Sequence, residues 1–297
     1  FKTEAEAIMR EKSDAWVTWF EANSPDTEYF VYLIDESSCY PMIEQWASWI
    51  ENNPGPGNRL MTMATSWAID TYAHVPSLDL PTSGMFVGDT NDWQTAVDYY
   101  LGETSKRAFF YNGGRPAQGS FMIDDDGIAL RELAWGQYKK HINRWFFWES
   151  TYWNNFQAGL GDVNVFQQAH TFGTNDGEDS EWGEQGWNYC NGDGVLFYPG
   201  TDLVFPDESY DIGGPIASLR LKQWRRGVQD VDYLTMAAEK NPQAVENIVN
   251  QLVPKVMWEY GVDSQEDPTY VRTEISWSDD PDVWEDARKQ LAEIIEE

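Results

Sequence analysis

Asp35 and Glu36 stand side by side directly after Tyr29-Phe30-Val31-Tyr32-Leu33-Ile34, a run with no charged residue in it. A run without polar alternation is what a strand buried on both faces requires. In parallel β/α architectures, the groups that do chemistry sit at the C-terminal ends of such strands. Neighbours inside a strand point to opposite faces. At its last residues, however, the chain is already turning, and both side chains can reach one mouth. Two carboxylates suit glycoside cleavage. One is protonated to assist the leaving oxygen, and the other is ionised to stabilise a cationic transition state. Adjacent residues are too close in sequence to straddle a sugar in the ordinary retaining or inverting arrangement. They fit the substrate-assisted variant, in which the sugar's own 2-acetamido oxygen attacks the anomeric carbon. One carboxylate then orients the acetamido group, and its neighbour serves as acid and afterwards as base. A pair of solvated loop residues is the competing reading.

Other side chains have types suited to the same chemistry. Trp67, Trp93, Tyr111, Trp148, Tyr152 and Trp153 fall at or just after expected strand ends. Flat aromatic faces suit the apolar faces of sugar rings, and ordinary packing is the alternative for each of them. Arg115, behind Gly113-Gly114, can reach a substrate hydroxyl or carboxylate, or can serve a structural ion pair. Glu149 is a reserve carboxylate. Asp124-Asp125-Asp126-Gly127 offers oxygen ligands of the kind calcium takes but lacks the downstream Glu of a full loop, so a helix-capping turn is preferred. Asp176, Glu178, Asp179 and Glu181 read as a solvated acidic loop. His74, His141 and His170 are scattered without zinc spacing. Neither a glycine-rich phosphate loop nor a Gly-x-Ser-x-Gly elbow is present. The expectation is catalysis without metal or organic cofactor.

The elements that must position these residues can be read from periodicity. Residues 4–20 and 41–52 read as helices with a buried strand between them, and Pro41 opens the second helix. Further short strands are expected at 59–64, 84–88, 107–111 and 145–148, with helices at 92–101 and 127–143. Trp16, Trp19, Trp46, Trp49 and Trp284 fall on helical stripes and are expected in the core. Short buried strands alternating with helices mean parallel β/α units. From about 155 to 212 the chain is rich in Gly, Asn, Asp and Trp, a long irregular excursion of the kind that often carries function. A helix is expected next, from Pro215 to about Ala238, with Leu221, Trp224, Val228 and Val231 as its buried stripe. Asp280-Pro281 caps a last helix.

Composition narrows the partners. The 297 residues carry 50 acidic and 20 basic side chains, a formal charge of −30. That field repels phosphate backbones and anionic membranes, which argues against nucleic acid and membrane as partners. An acidic surface suits a secreted or cell-surface protein. No stretch approaches the roughly 18–20 apolar residues of a membrane helix. The two cysteines, Cys39 and Cys190, allow a single bridge or two buried thiols. The chain starts at Phe1, as a processed, trimmed or fragmentary chain would.

Several segments together resemble glycoside hydrolase family 123 and the related domain of unknown function 4091, over roughly residues 28–240. They are the strand ending Leu33-Ile34-Asp35-Glu36; the stretch from Asp124 to Trp148 with Arg131, Trp135, Tyr138 and Lys139; Gly192-Asp193-Gly194-Val195-Leu196-Phe197-Tyr198-Pro199-Gly200; Gly214-Pro215-Ile216-Ala217-Ser218-Leu219-Arg220-Leu221; and Arg226-Gly227-Val228-Gln229-Asp230-Val231-Asp232-Tyr233-Leu234. The resemblance implies a (β/α)8 barrel of the TIM type and β-N-acetylgalactosaminidase-like chemistry. Asp35 would stabilise the oxazolinium intermediate and Glu36 would be the acid/base. In that family the Asp-Glu pair ends the fourth strand, whereas here only a helix precedes its strand. The expectation is therefore an incomplete barrel of about five β/α units, from the fourth strand onward. It would span residues 1–240, with a helical extension over 241–297, and the missing N-terminal part would belong to the same longer protein. The alternative reading is a non-catalytic carbohydrate-binding or surface-structural protein that keeps the fold.

Overall fold

The computed structural model describes residues 2–84, 88–102, 105–153, 164–172, 190–261 and 275–297. The described residues fall into two compact units, the first within Phe1–Tyr111, Arg144–Phe146 and Gly261–Glu266, the second within Asn112–Asn143, Phe147–Tyr260 and Asp267–Glu297.

The first unit runs α1 (Lys2–Asn23), β1 (Phe30–Ile34), α2 (Tyr40–Glu51), β2 (Met61–Thr65), α3 (Ala68–His74), β3 (Leu80–Ser83), α4 (Thr90–Gly102), β4 (Phe109–Tyr111) and β5 (Trp145–Phe146). The strands form one sheet in the order β1-β2-β3-β4-β5, and every pairing is parallel. Each strand lies beside its predecessor. Right-handed crossovers in such an order put successive connecting helices on the same face. Contacts agree: Leu33, Ile34 and Ala64 pack with Ile43, Val75 and Leu78. Val31 and Leu33 pack with Val17, Ile50 and Leu60. The opposite face carries Phe30, Met61, Met63, Leu80, Phe109 and Phe146 as one apolar cluster, with the rings of Phe30 and Phe146 meeting edge to face at 6.1 Å.

Two residues further along each strand, on that same face by the period-two rule, come Tyr32, Thr65, Thr82 and Tyr111. An apolar floor thus gives way to a row of hydroxyls toward the C-terminal ends. The expected alternation of strands and helices is present as a mixed α/β unit with a five-stranded parallel sheet. Among the described residues the sheet is open, not a closed barrel. The third strand lies at Leu80–Ser83, not at 84–88, and residues 85–87 of the expected strand lie outside the described residues. Pro81 and two small hydroxyl residues disguise it in sequence, but all four of its residues are buried. Trp16 and Trp19 are about half exposed, because α1 buries the stripe through Ser13 and Val17 instead.

The second unit contains α5 (Ala129–Lys140), β6 (His170–Phe172), β7 (Cys190–Asn191), β8 (Phe197–Tyr198), β9 (Ile216–Ala217), α6 (Leu219–Lys240), α7 (Pro242–Leu252) and α8 (Pro281–Glu296). The strands β6 and β7, and β8 and β9, form two antiparallel pairs, so the described part of the 155–212 excursion carries short sheet. Ser218 caps α6 by accepting the Leu221 N–H at 3.1 Å. The buried face of α6 is Gly227, Asp230, Leu234 and Ala237, which corrects the expected stripe; Val228 is exposed. Helix α5 decides the difference. Gly227 lets it approach, since a Cβ there would stand 2.6 Å from the Arg131 carbonyl oxygen. Asp230 is buried because it receives the Arg131 and Arg288 guanidinium groups, each at 2.6 Å.

Candidate active site

The parallel sheet ends, at its C-terminal edge, in a cleft of about 340 Å³ within the first unit. Its walls are Glu36, Ser37 and Ser38 after β1, Tyr40 at the start of α2, and Thr65, Ser66 and Trp67 after β2. Asp70 on α3, Thr82 and Gly84 at β3, and Tyr111 ending β4 complete it. That is where parallel β/α units place ligands, because strand ends and their adjoining loops converge there.

Local backbone geometry explains why two neighbouring acids can serve one site. The β1–β2 register slips between Tyr32 and Ile34, a bulge that adds one residue to β1 and re-aims the residues after it. Glu36 then takes a left-handed conformation, φ 44°, which costs a side-chain-bearing residue on the order of 1–2 kcal/mol. The Thr65 hydroxyl offsets part of that cost by accepting the Glu36 N–H at 2.6 Å. The same hydroxyl donates to Asp35 Oδ1 at 2.8 Å, and the Tyr32 hydroxyl donates to that oxygen at 2.5 Å. Thr65 is itself buried, so it joins both acids to the end of β2 as a fixed anchor.

The two carboxylates are held differently. Glu36 lines the cleft and accepts the Tyr111 hydroxyl on Oε1 at 2.5 Å; Oε2 has no partner among the described residues. Asp35 is exposed beside it and is not one of the wall residues. Its Oδ1 is doubly bonded, and its Oδ2 has no partner among the described residues. Burial, and then the bond to Glu36, pushes the Tyr111 phenol well above its ordinary value. Burial and Asp35 do the same to Tyr32. Both phenols therefore remain proton donors to the carboxylates they touch. Gly84 matters for the first of these bonds. A Cβ there would stand 2.8 Å from the Tyr111 ring, so only glycine lets the ring lie where its hydroxyl meets Glu36.

Of the aromatic candidates, Trp67 and Tyr111 are walls of the cleft. Trp93 is a correction: it is fully buried. It lies on the α4 stripe with Ala96, Val97 and Tyr100, a helical i, i+3, i+4, i+7 set that faces the core. Its apparent place after a strand came from the misplaced third strand. Arg115, Trp148, Tyr152 and Trp153 belong to the second unit. There Arg115 is ion-paired to Asp125 and Asp126. Trp148 donates to Asp193 at 3.0 Å and meets Tyr152 edge to face. Trp153 donates to the Phe197 carbonyl at 2.8 Å. Glu149 is a turn cap: the Thr151 N–H is the largest of the effects that hold its carboxyl below the usual range. The Asp124–Gly127 segment likewise works as a turn, Asp126 accepting the Ile128 N–H at 2.8 Å.

Among the described residues no group of His, Cys, Asp and Glu is arranged to hold a metal ion, and no helix is long and apolar enough to cross a membrane. The acidic loop at 176–181 lies outside the described residues. So does the side chain of Cys190, whereas Cys39 is an exposed free thiol rather than a buried or bridged one. Sequence reasoning missed Tyr32, Tyr40, Thr65, Asp70 and Thr82. The period-two relation of Thr65 and Tyr111 to the floor residues Met63 and Phe109 was the signal that could have found the hydroxyl row.

Comparison with known proteins yields a likeness of fold. No family model matches the chain, and no curated protein matches it. Eleven solved chains match. One is a family 123 glycoside hydrolase from Clostridium perfringens, described for glycolipid glycan hydrolysis. It is 14% identical with a TM-score of 0.55, and the match covers 95% of this chain and 43% of that one. The chain thus spans less than half the length of this neighbour, and what the two share is a likeness to part of that enzyme's fold.

Proposed function

We propose that the protein is a glycoside hydrolase that cleaves 2-acetamido sugars by the retaining, substrate-assisted route. Glu36 is the acid and then the base, and Asp35 stabilises the oxazolinium formed by the sugar's own acetamido group. One observation carries the reading: two adjacent carboxylates at a parallel strand end, each anchored through one oxygen and with the other oxygen unpartnered among the described residues. Glu36 takes the Tyr111 hydrogen bond on Oε1 and lines the cleft, while Asp35 is held by Tyr32 and Thr65. A general acid must reach the leaving oxygen, and a charge-stabilising carboxylate must not move during reaction. Trp67 and Tyr111 supply aromatic faces for the ring. The Asp-Glu motif's resemblance to family 123 favours galactosamine-type sugars as substrates, and the neighbour from Clostridium perfringens, described for glycolipid glycan hydrolysis, suggests glycolipid glycans as their source. No metal or organic cofactor is needed for this chemistry. A secreted or surface location and a carbohydrate partner go with it.

The test is hydrolysis of chromogenic N-acetyl-β-hexosaminides. Glu36→Gln should lower kcat by about 10²–10⁴-fold, and a thiazoline analogue of the cyclised intermediate should bind the parent far more tightly than the free sugar does. Unchanged turnover in Glu36→Gln, or a parent that cleaves only sugars lacking the acetamido group, would defeat the proposal.

A further inference from the structure

The wall of the cleft contributed by α2 and α3 carries a second tyrosine–carboxylate pair. Asp70 Oδ2 accepts the Tyr40 hydroxyl at 2.9 Å, and Asp70 Oδ1 has no partner among the described residues. The Tyr40 ring stacks on His74 at 5.3 Å and 20°, which fixes its direction. Burial, and then Asp70, pushes the Tyr40 phenol up to about 12, so it stays a neutral donor. Thr82, fully buried at the cleft, has a hydroxyl with no protein partner among the described residues. Buried hydroxyls are normally bonded, so this one points to a polar ligand. The charged walls are Glu36 and Asp70, both acidic, and no Lys or Arg is among the wall residues.

We infer that Asp70, held by Tyr40, is the specificity-determining residue of this cleft. It reads hydroxyl groups of an uncharged sugar through Oδ1, and its charge rejects sugars carrying sulfate or carboxylate. The inference rests on the glycosidase reading of Glu36, whose cleft it shares. The physical reason is an asymmetry of selection. A site built to hydrogen-bond a hydroxyl discriminates strongly, because an unmatched ligand leaves buried polar groups unpaired. An anion placed beside the Asp70 carboxylate, with no cation in the wall, meets like charge in a partly desolvated space.

Calorimetric binding to the Glu36→Gln protein separates this inference from the catalytic one. The probes are a neutral disaccharide ending in N-acetylgalactosamine and the same disaccharide bearing a sulfate. The neutral probe should bind at least about tenfold more tightly than the sulfated one, and Asp70→Asn should weaken the neutral probe by about tenfold while removing most of the preference. Asp70→Asn preserves size, and its circular dichroism and thermal midpoint report whether it folds. Equal affinity for the two probes, a preference unchanged in folded Asp70→Asn, or no binding of either probe would overturn the inference. If Glu36→Gln hydrolyses glycosides as well as the parent, the catalytic reading fails, yet a charge preference that depends on Asp70 would still uphold this one.

Discussion

One hydroxyl sets the geometry of both candidate catalytic acids. Thr65 donates to Asp35 and accepts from the Glu36 amide, and it is buried where its rotamer is restrained by the sheet. Its removal should act on positioning rather than on binding. Thr65→Val keeps the shape and loses the hydroxyl; kcat on an N-acetylhexosaminide should fall by about 10–100-fold with little change in KM. Thr65→Ser should recover most of the loss. Amide hydrogen exchange at Glu36 should accelerate in the Val variant alone, a readout independent of turnover. An unaltered kcat together with unaltered exchange would show that the hydroxyl is incidental.

At the scale of elements, α5 carries two buried ionisable groups with opposite consequences. Arg131 is nearly inaccessible and meets Asp230 of α6 at 2.6 Å; Asp230 also receives Arg288 of α8 and the Trp135 indole N–H. Breaking such a group strands charge in a poor solvent. Asp230→Ala should therefore destabilise by about 3–5 kcal/mol in urea unfolding, and a loss below about 1 kcal/mol would mean that the guanidinium groups find water. Glu132, one residue along, has no cation beside it among the described residues. Burial raises its carboxyl to about 8 against the lowering effect of the Gly119 N–H. Its folded value lies above its unfolded one, so the native state holds the extra proton between them. The stabilisation is complete below the unfolded value near 4.5 and is lost as pH rises through about 8. Thermal midpoints should decline across that window in the parent, and Glu132→Gln should flatten the decline whatever it does to absolute stability.

For the whole molecule the dominant fact is charge. With 50 acidic against 20 basic residues, the compact state repels itself, and salt screens exposed charges beyond about 10 Å at 0.1 M. The thermal midpoint should rise as NaCl goes from about 0.05 M to about 0.5 M, where the Debye length has shortened severalfold. A midpoint that falls over this range would show that exposed ion pairs such as Arg59–Glu21 outweigh the general repulsion. The same charge bears on ligands, because an acidic molecule approaching an acidic cleft is disfavoured before contact.

The sequence by itself determined the local periodicities. The unbroken run 29–34, the helical spacing of α2 and α4, and the Asp280-Pro281 cap were legible because apolar runs, helical stripes and caps leave patterns within a few residues of one another. The expected burial of β1 on both faces is corrected by the structure, in which its residues are only partly buried and Tyr32 is exposed. Asp35 and Glu36 stood out because charge rarely comes after such a run without a turn. Tertiary structure alone decided the rest. Leu80–Ser83 is a strand because neighbours bury it, although its composition argues for a turn. Trp93 is core and Trp19 is exposed because helices α4 and α1 choose their buried faces from contacts far along the chain. Tyr111 reaches Glu36 across 75 positions, and Thr65 reaches it across 29. Such contacts arise from strand order and register, and a one-dimensional pattern carries neither.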